Sequence, residues 1–203
     1  MFRLHAAGCG IAFALAAAGL FAGPASAQTA KVPNLVALPA KDISLQPSPT
    51  VENGWLIRFT TVSWNKGTGP LELVAGDIDT DAQKRKVNQR IYNTDGTHTD
   101  VFAGSFVWHP AHNHFHFERY ATYTLQPINA PGGSMRQGAK TTFCVMDTDH
   151  INSGLAGSPS SAYYATCGNA VQGMSVGWGD TYGSHLAGQS LDFTGQPDGL
   201  YQL

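Results

Sequence analysis

The sequence predicts an all-β fold: a sandwich-like antiparallel core with long loops over a metal site. Three observations predict it. Short apolar runs of strand length recur along the chain, clusters of Gly, Pro, Asn and Asp separate them, and no long run has a helical period. There is no internal repeat, and 203 residues are enough for one domain with a proper core.

The first 27 residues read as an export signal rather than as part of the fold. Met1-Phe2-Arg3 supplies a positive start, Gly10 to Phe21 is apolar, and Ala25-Ser26-Ala27 is a small-residue cleavage site, so the cut is expected before Gln28. The run is too short and wrongly flanked to span a membrane, and Cys9 precedes most of it, which disfavours a lipid anchor there. The mature chain is therefore expected to be secreted or periplasmic. Losing Arg3 from the 12 basic residues leaves 11 against 14 acidic ones, a formal charge of −3. That small imbalance points neither to nucleic acid nor to a membrane surface. Two cysteines remain, Cys144 and Cys167. An oxidising compartment favours a disulfide between them, worth about 3 kcal/mol by loop-closure entropy. Their spacing is not the Cys-x-x-Cys of a thiolate metal site.

Lys31 to Thr50 is rich in proline, so residues 28–54 read as an extended lead-in to a domain covering residues 55–203. Trp55 to Val62 is a strand with bulky Trp55, Ile57 and Phe59 on one side. Asn65-Lys66-Gly67-Thr68-Gly69-Pro70 is turn chemistry, and Leu71 to Val74 returns as a second strand. The basic run Lys84-Arg85-Lys86 with Arg90 reads as a solvated loop, and Asp95-Gly96 as a turn. Val101 to Trp108 leads into a histidine-rich strand that continues through Tyr120 to Leu125. Pro131-Gly132-Gly133-Ser134 breaks the chain before a strand over Thr141 to Met146. Glycine and serine dominate from Asn152 to Gly188, which reads as loops packed over the site.

The chemistry concentrates in Trp108-His109-Pro110-Ala111-His112-Asn113-His114-Phe115-His116-Phe117-Glu118, where half of the eight histidines fall in eight positions. His112, His114 and His116 alternate, so on a strand they share a face, with Phe115 and Phe117 turned into a core. Three imidazoles without thiolates suit copper, zinc, iron or nickel and leave positions open for chemistry. Strand residues four apart are about 13 Å apart, whereas metal–nitrogen bonds are about 2 Å. The strand must therefore twist or bulge at this point. A polar strand face carrying fortuitous histidines is the competing reading.

Trp108 to His116 resembles the copper-binding segment of the lysyl oxidase family. Lys140-Thr141-Thr142-Phe143-Cys144 resembles the segment that holds the lysine of that family's cross-linked quinone. Gln172-Gly173-Met174-Ser175 with Asp180-Thr181-Tyr182 resembles the segment that supplies its tyrosine. Order and spacing agree across the three blocks, with matching stretches from about Trp55 to Tyr201, and the bacterial look of the signal suggests a prokaryotic member. The resemblance implies copper on His112, His114 and His116, and dioxygen-dependent oxidation of Tyr182. Addition of the Lys140 amine to that ring would then give lysyl tyrosylquinone. Such a quinone takes up a primary amine, or a lysine-containing substrate, as a Schiff base and withdraws electrons as its α-proton leaves. The products are an aldehyde, ammonia and hydrogen peroxide. Asp180, Glu118 and Asp147 are the candidate bases. His109 is either a donor that orients a ligand or a histidine packed beside Trp108. His185 gates, ligates or lies exposed, and His98 and His150 carry no signal.

The sequence departs from the animal pattern at Ala111, which stands where those members have a cysteine, and at Tyr123, where they have a histidine. It also stops at Tyr201-Gln202-Leu203, in what reads as a core strand, so a C-terminal truncation or a differently closed sheet is expected. A copper-binding or structural module without turnover is the rival from another class. A cupin-type reading finds His112-x-His114-x-x-x-Glu118 but misplaced glycines and no second motif.

Overall fold

The computed structural model describes residues 28–79 and 84–203, so the export signal expected at residues 1–27 lies outside the described residues. Among those residues there is no helix, and every strand pairing is antiparallel. The lead-in supplies β1 (Ala30–Lys31), β2 (Leu35–Ala37) and β3 (Lys41–Pro47). Four long strands follow: β4 (Trp55–Asn65), β5 (Leu71–Asp79), β6 (Lys84–Asn93) and β7 (His98–His109). Then come β8 (His114–Phe117), β9 (Thr124–Asn129), β10 (Arg136–Gln137) and β11 (Asp149–His150). The last are β12 (Val171–Met174), β13 (Trp178–Tyr182), β14 (Ser190–Asp192) and β15 (Leu200–Gln202).

One sheet runs β12-β5-β6-β7-β8, with β1 added to β6. Its edges come close to one another, because Gln172 of β12 donates its side-chain amide to the Phe115 carbonyl of β8 at 2.8 Å. Leu71, Leu73, Val87, Phe106, Val145 and Met174 form its buried core, and Phe115 and Phe117 pack against them, as their alternation requires. A second sheet is built on β4, which pairs with β2, β3, β13 and β14, while β11 pairs with β13. Its core of Phe59, Leu125 and Leu191 also packs against the small sheet β10-β9-β15 through Tyr201. Of the bulky residues on one face of β4, Phe59 is fully buried and Ile57 packs beside it, but Trp55 at the strand's start is exposed.

Five local expectations are corrected. Asn65–Pro70 is not a hairpin turn. It carries the chain from one sheet to the other, and the buried Asn65 amide holds it by donating to the Gly69 and Met174 carbonyls. The basic run lies on β6 rather than in a loop, with Lys84 paired to Glu118 at 2.7 Å and Arg90 to Asp100 at 2.8 Å. Residues 118–123 are not strand. Arg119 adopts a φ of 56°, and the Tyr120 and Tyr123 hydroxyls reach Ser63 and Thr61 of β4, which draws this stretch across to the second sheet.

The segment Thr141–Met146 is extended and largely buried but makes only one ladder bridge, Phe117 to Phe143. Its backbone finds mixed partners instead. The Val145 N–H donates to the Gln172 side chain, the Val145 carbonyl accepts from Gly173, and the Met146 N–H donates to Asp180. It thus fills the seam between β8, β12 and β13, and no regular ladder is open to it. Likewise residues 152–188 are not all loop, since β12 and β13 lie within them.

Candidate metal centre

The turn at Pro110–Asn113 decides how the histidines meet. Strands β7 and β8 pair with His109 opposite His114, and the N–H groups of His112 and Asn113 both donate to the His109 carbonyl. Asn113 supplies the left-handed residue the turn needs, with φ 55°. The expected single strand is therefore folded back on itself. Only His114 and His116 share a strand face, while His112 reaches them from the turn. Folding back removes the span of a flat strand. His114 Nε2 lies 2.9 Å from His116 Nε2, and His112 Nδ1 lies 3.4 Å from that same atom.

The structure brings His109 into the cluster as well. Its ring stacks on His112 with centroids 4.2 Å apart and lies 4.6 Å from His116. His109, His112 and His116 each offer a ligand nitrogen, all within 4.8 Å of one another. His116 is buried, and its Nδ1 is 3.1 Å from the Thr142 hydroxyl. Burial, followed by the charges of His109, His114, His112 and Lys140, lowers the His116 pKa to about 3. Burial is also the first cause lowering His112 and His114. Neutral imidazoles with convergent lone pairs are what a transition metal requires.

Lys140 and Tyr182 approach the same place from different directions. Lys140 lies in the connection after β10, and Tyr182 ends β13. The Lys140 ammonium sits 4.6 Å from the centre of the Tyr182 ring and 4.9 Å from that of Phe143, and donates to the Ala187 carbonyl at 3.3 Å. The Tyr182 hydroxyl donates to the Cys144 carbonyl at 2.6 Å, and Phe143 meets its ring edge-on at 4.8 Å. Desolvation lowers the Lys140 pKa against an opposing pull from Asp180, and raises that of Tyr182. A cavity of about 410 Å3 joins His112, His114, His116, Lys140, Asp180 and Tyr182.

The three carboxylates differ in their surroundings. Glu118 is held by Lys84. Asp147 is a structural staple, accepting from the N–H groups of Tyr163, Tyr164 and Ser175 and from the Ser175 hydroxyl. Asp180 is buried, borders the cavity, and accepts only a long bond from the Met146 N–H at 3.4 Å among its described contacts. Burial raises its pKa well above the ordinary carboxylate range.

His185 is exposed, and His150 stacks on Trp178 at 4.3 Å, away from the cluster. Cys144 and Cys167 form the expected disulfide, which also borders the cavity. Sequence reasoning missed Thr142, Phe143 and the Cys144 carbonyl as supports of the site. They lie in the quoted Lys140–Cys144 block, but nothing in their side-chain types marks them.

Residues 73–203 match the family model for lysyl oxidase. Lysyl oxidase homolog 4 of Homo sapiens is 33% identical over 119 residues, which is 57% of this chain and 15% of that protein. Lysyl oxidase homolog 2A of Danio rerio is 34% identical over 99 residues, 48% of this chain and 12% of that protein. Lysyl oxidase homolog 2 of Gallus gallus is 31% identical over 98 residues, again 48% and 12%. The chain thus matches less than a sixth of the length of these relatives.

Proposed function

The chain belongs to the lysyl oxidase family, and from that premise we propose that it is an exported, copper-dependent amine oxidase. It would convert primary amines, peptidyl lysine included, to aldehydes with release of hydrogen peroxide and ammonia. The observation that carries the reading is the 4.6 Å approach of the Lys140 ammonium to the Tyr182 ring beside the histidine cluster.

The residues fit the groups the family implies. Nitrogens bound to one ion at about 2.0–2.1 Å lie roughly 3–4 Å apart, close to the 2.9 Å between His114 and His116 and the 3.4 Å between His112 and His116. An all-imidazole set is suited to copper. Copper held there would supply, with dioxygen, the oxidising chemistry for a quinone built from Lys140 and Tyr182, and such a quinone would supply an electrophilic carbonyl and a two-electron sink.

The remaining roles fall to the chain's own side chains. His112, His114 and His116 hold the ion, and Thr142 fixes the His116 ring through its other nitrogen. Desolvation favours the neutral, nucleophilic amine of Lys140. The Cys144 carbonyl and the Phe143 edge orient the Tyr182 ring. Asp180, once ionised, takes the α-proton of the substrate, because it alone of the three candidate carboxylates borders the cavity, while Lys84 holds Glu118 and N–H donors hold Asp147. Export is supported by the apolar N-terminal stretch and by the disulfide. We assign the catalytic domain to residues 55–203, with residues 28–54 as its lead-in.

The test is to load the protein with copper in air. A visible quinone band that a hydrazine reagent traps, together with peroxide production from a primary amine, is expected. Copper uptake with no band identifies a non-catalytic copper-binding module instead.

A further inference from the structure

Four imidazoles, rather than three, meet at the β7–β8 hairpin, and they face two cavities. His114 and His116 line the one that reaches Tyr182. His109 lines a second, of about 360 Å3, walled by Ala139, Thr141 and Thr142. His112 and Lys140 border both. His109 Nδ1 is buried and has no hydrogen-bond partner. An unpaired buried nitrogen needs an explanation, and an unplaced ion is one of the few available.

The nitrogens of His109, His112 and His116 lie within 4.8 Å of one another. Two ligands on one ion at about 2.0–2.1 Å can be at most about 4.2 Å apart. A spread of up to 4.8 Å needs only small ring movements to close on an ion, and the same His116 ring also meets His114, its Nε2 lying 2.9 Å from His114 Nε2 and 3.4 Å from His112 Nδ1. His109 and His112 of the first set open onto the second cavity.

We propose that His109, His112 and His116 form an outer metal position, from which a divalent ion passes inward to His112, His114 and His116. The inference rests on the copper reading above. The transfer needs no release of the ion, since His112 and His116 belong to both sets and only His109 is exchanged for His114. Those two residues stand directly opposite each other across the hairpin, and directly opposed strand residues project to the same face. Side-chain rotation is enough to exchange them. Three imidazoles without carboxylate or thiolate select copper(II) or zinc over magnesium or calcium.

The experiment measures Cu(II) binding by calorimetry and electron paramagnetic resonance on the full disulfide-bonded chain. It compares the wild type, His114→Ala, His109→Phe and the double variant. Phenylalanine keeps a ring for stacking but offers no nitrogen, and His109→Gln is the second choice if the first unfolds by near-ultraviolet circular dichroism. His114→Ala is expected to retain one Cu(II), bound about 10- to 100-fold more weakly. Adding His109→Phe should remove that residual binding, and His109→Phe alone should slow Cu(II) uptake. Residual binding in His114→Ala that is indifferent to His109, or no binding by folded His114→Ala, overturns the outer position. Neither result bears on the quinone band, whose absence in copper-loaded wild type sinks the oxidase and leaves the outer position standing.

Discussion

The Lys140 ammonium nitrogen lies 4.6 Å from the centre of the Tyr182 ring, although 42 positions (182 less 140) separate the two residues in the chain. One belongs to the connection after β10 and the other to the end of β13. Phe143 packs against both, edge-on to Tyr182 and beneath the Lys140 ammonium. If this pair is the source of the cofactor, Lys140→Met and Tyr182→Phe each abolish the quinone band while copper still binds. Absorption spectra and metal analysis on the same samples check this. Because desolvation lowers the Lys140 pKa, the band should form faster as pH rises, with a midpoint below that of an exposed lysine.

Asp180 separates catalysis from stability. Burial holds its carboxyl well above the ordinary carboxylate range, so the folded chain keeps a proton that the unfolded chain has shed. Asp180 serves as a base only as it ionises, with turnover rising as pH climbs through the folded value. Its stabilising contribution is fully present below the unfolded value and is lost as pH rises through the folded one. Asp180→Asn removes that loss, so its melting temperature should fall less than that of the wild type as pH rises above the ordinary carboxylate range. Turnover should drop by about 10²- to 10⁴-fold, with the quinone band still present. A variant with wild-type turnover would end the assignment of Asp180 as the base.

Thr142 tests the support beneath the proposed metal ligands. Its hydroxyl is the partner of His116 Nδ1 at 3.1 Å, and valine replaces that hydroxyl with a methyl group of similar size. Thr142→Val should weaken copper affinity by about 10- to 100-fold, read by competition with a chelator. His116→Ala should abolish tight binding outright. Unchanged affinity in Thr142→Val would mean that another group sets the His116 ring.

The disulfide carries both stability and alignment. Cys144 and Cys167 are 23 positions apart, and a loop of that size is worth about 3 kcal/mol by closure entropy. Cys167→Ala should lower the unfolding free energy by roughly this amount in a denaturant titration. It should also reduce the yield of quinone, because the Cys144 carbonyl that accepts the Tyr182 hydroxyl is no longer anchored. Loss of stability with a full quinone yield would confine the disulfide to a structural role.

The chemistry was legible in the sequence wherever it depends on residue type and local spacing. The alternation of Phe115 and Phe117 against His114 and His116 fixes which side chains enter the core, since a strand has a period of two. Turn chemistry at Asp95-Gly96 was legible for a similar reason, because glycine tolerates the φ of 85° found there. Long-range pairing was not legible. Asn65–Pro70 has the composition of a hairpin turn, yet β4 and β5 belong to different sheets. Likewise Thr141–Met146 has the composition of a strand but lies in a seam with no ladder to join.

By itself, then, the sequence determined an all-β chain and a histidine cluster suited to a metal, and its resemblance to known segments pointed to Lys140 and Tyr182. Only the tertiary structure decided that the histidine stretch folds back at Asn113, that His109 joins the cluster, and that Asp180 is the carboxylate left facing the cavity. Strand propensity acts between neighbours in the chain. Burial, by contrast, and the fate of each polar group depend on which distant strand arrives beside it.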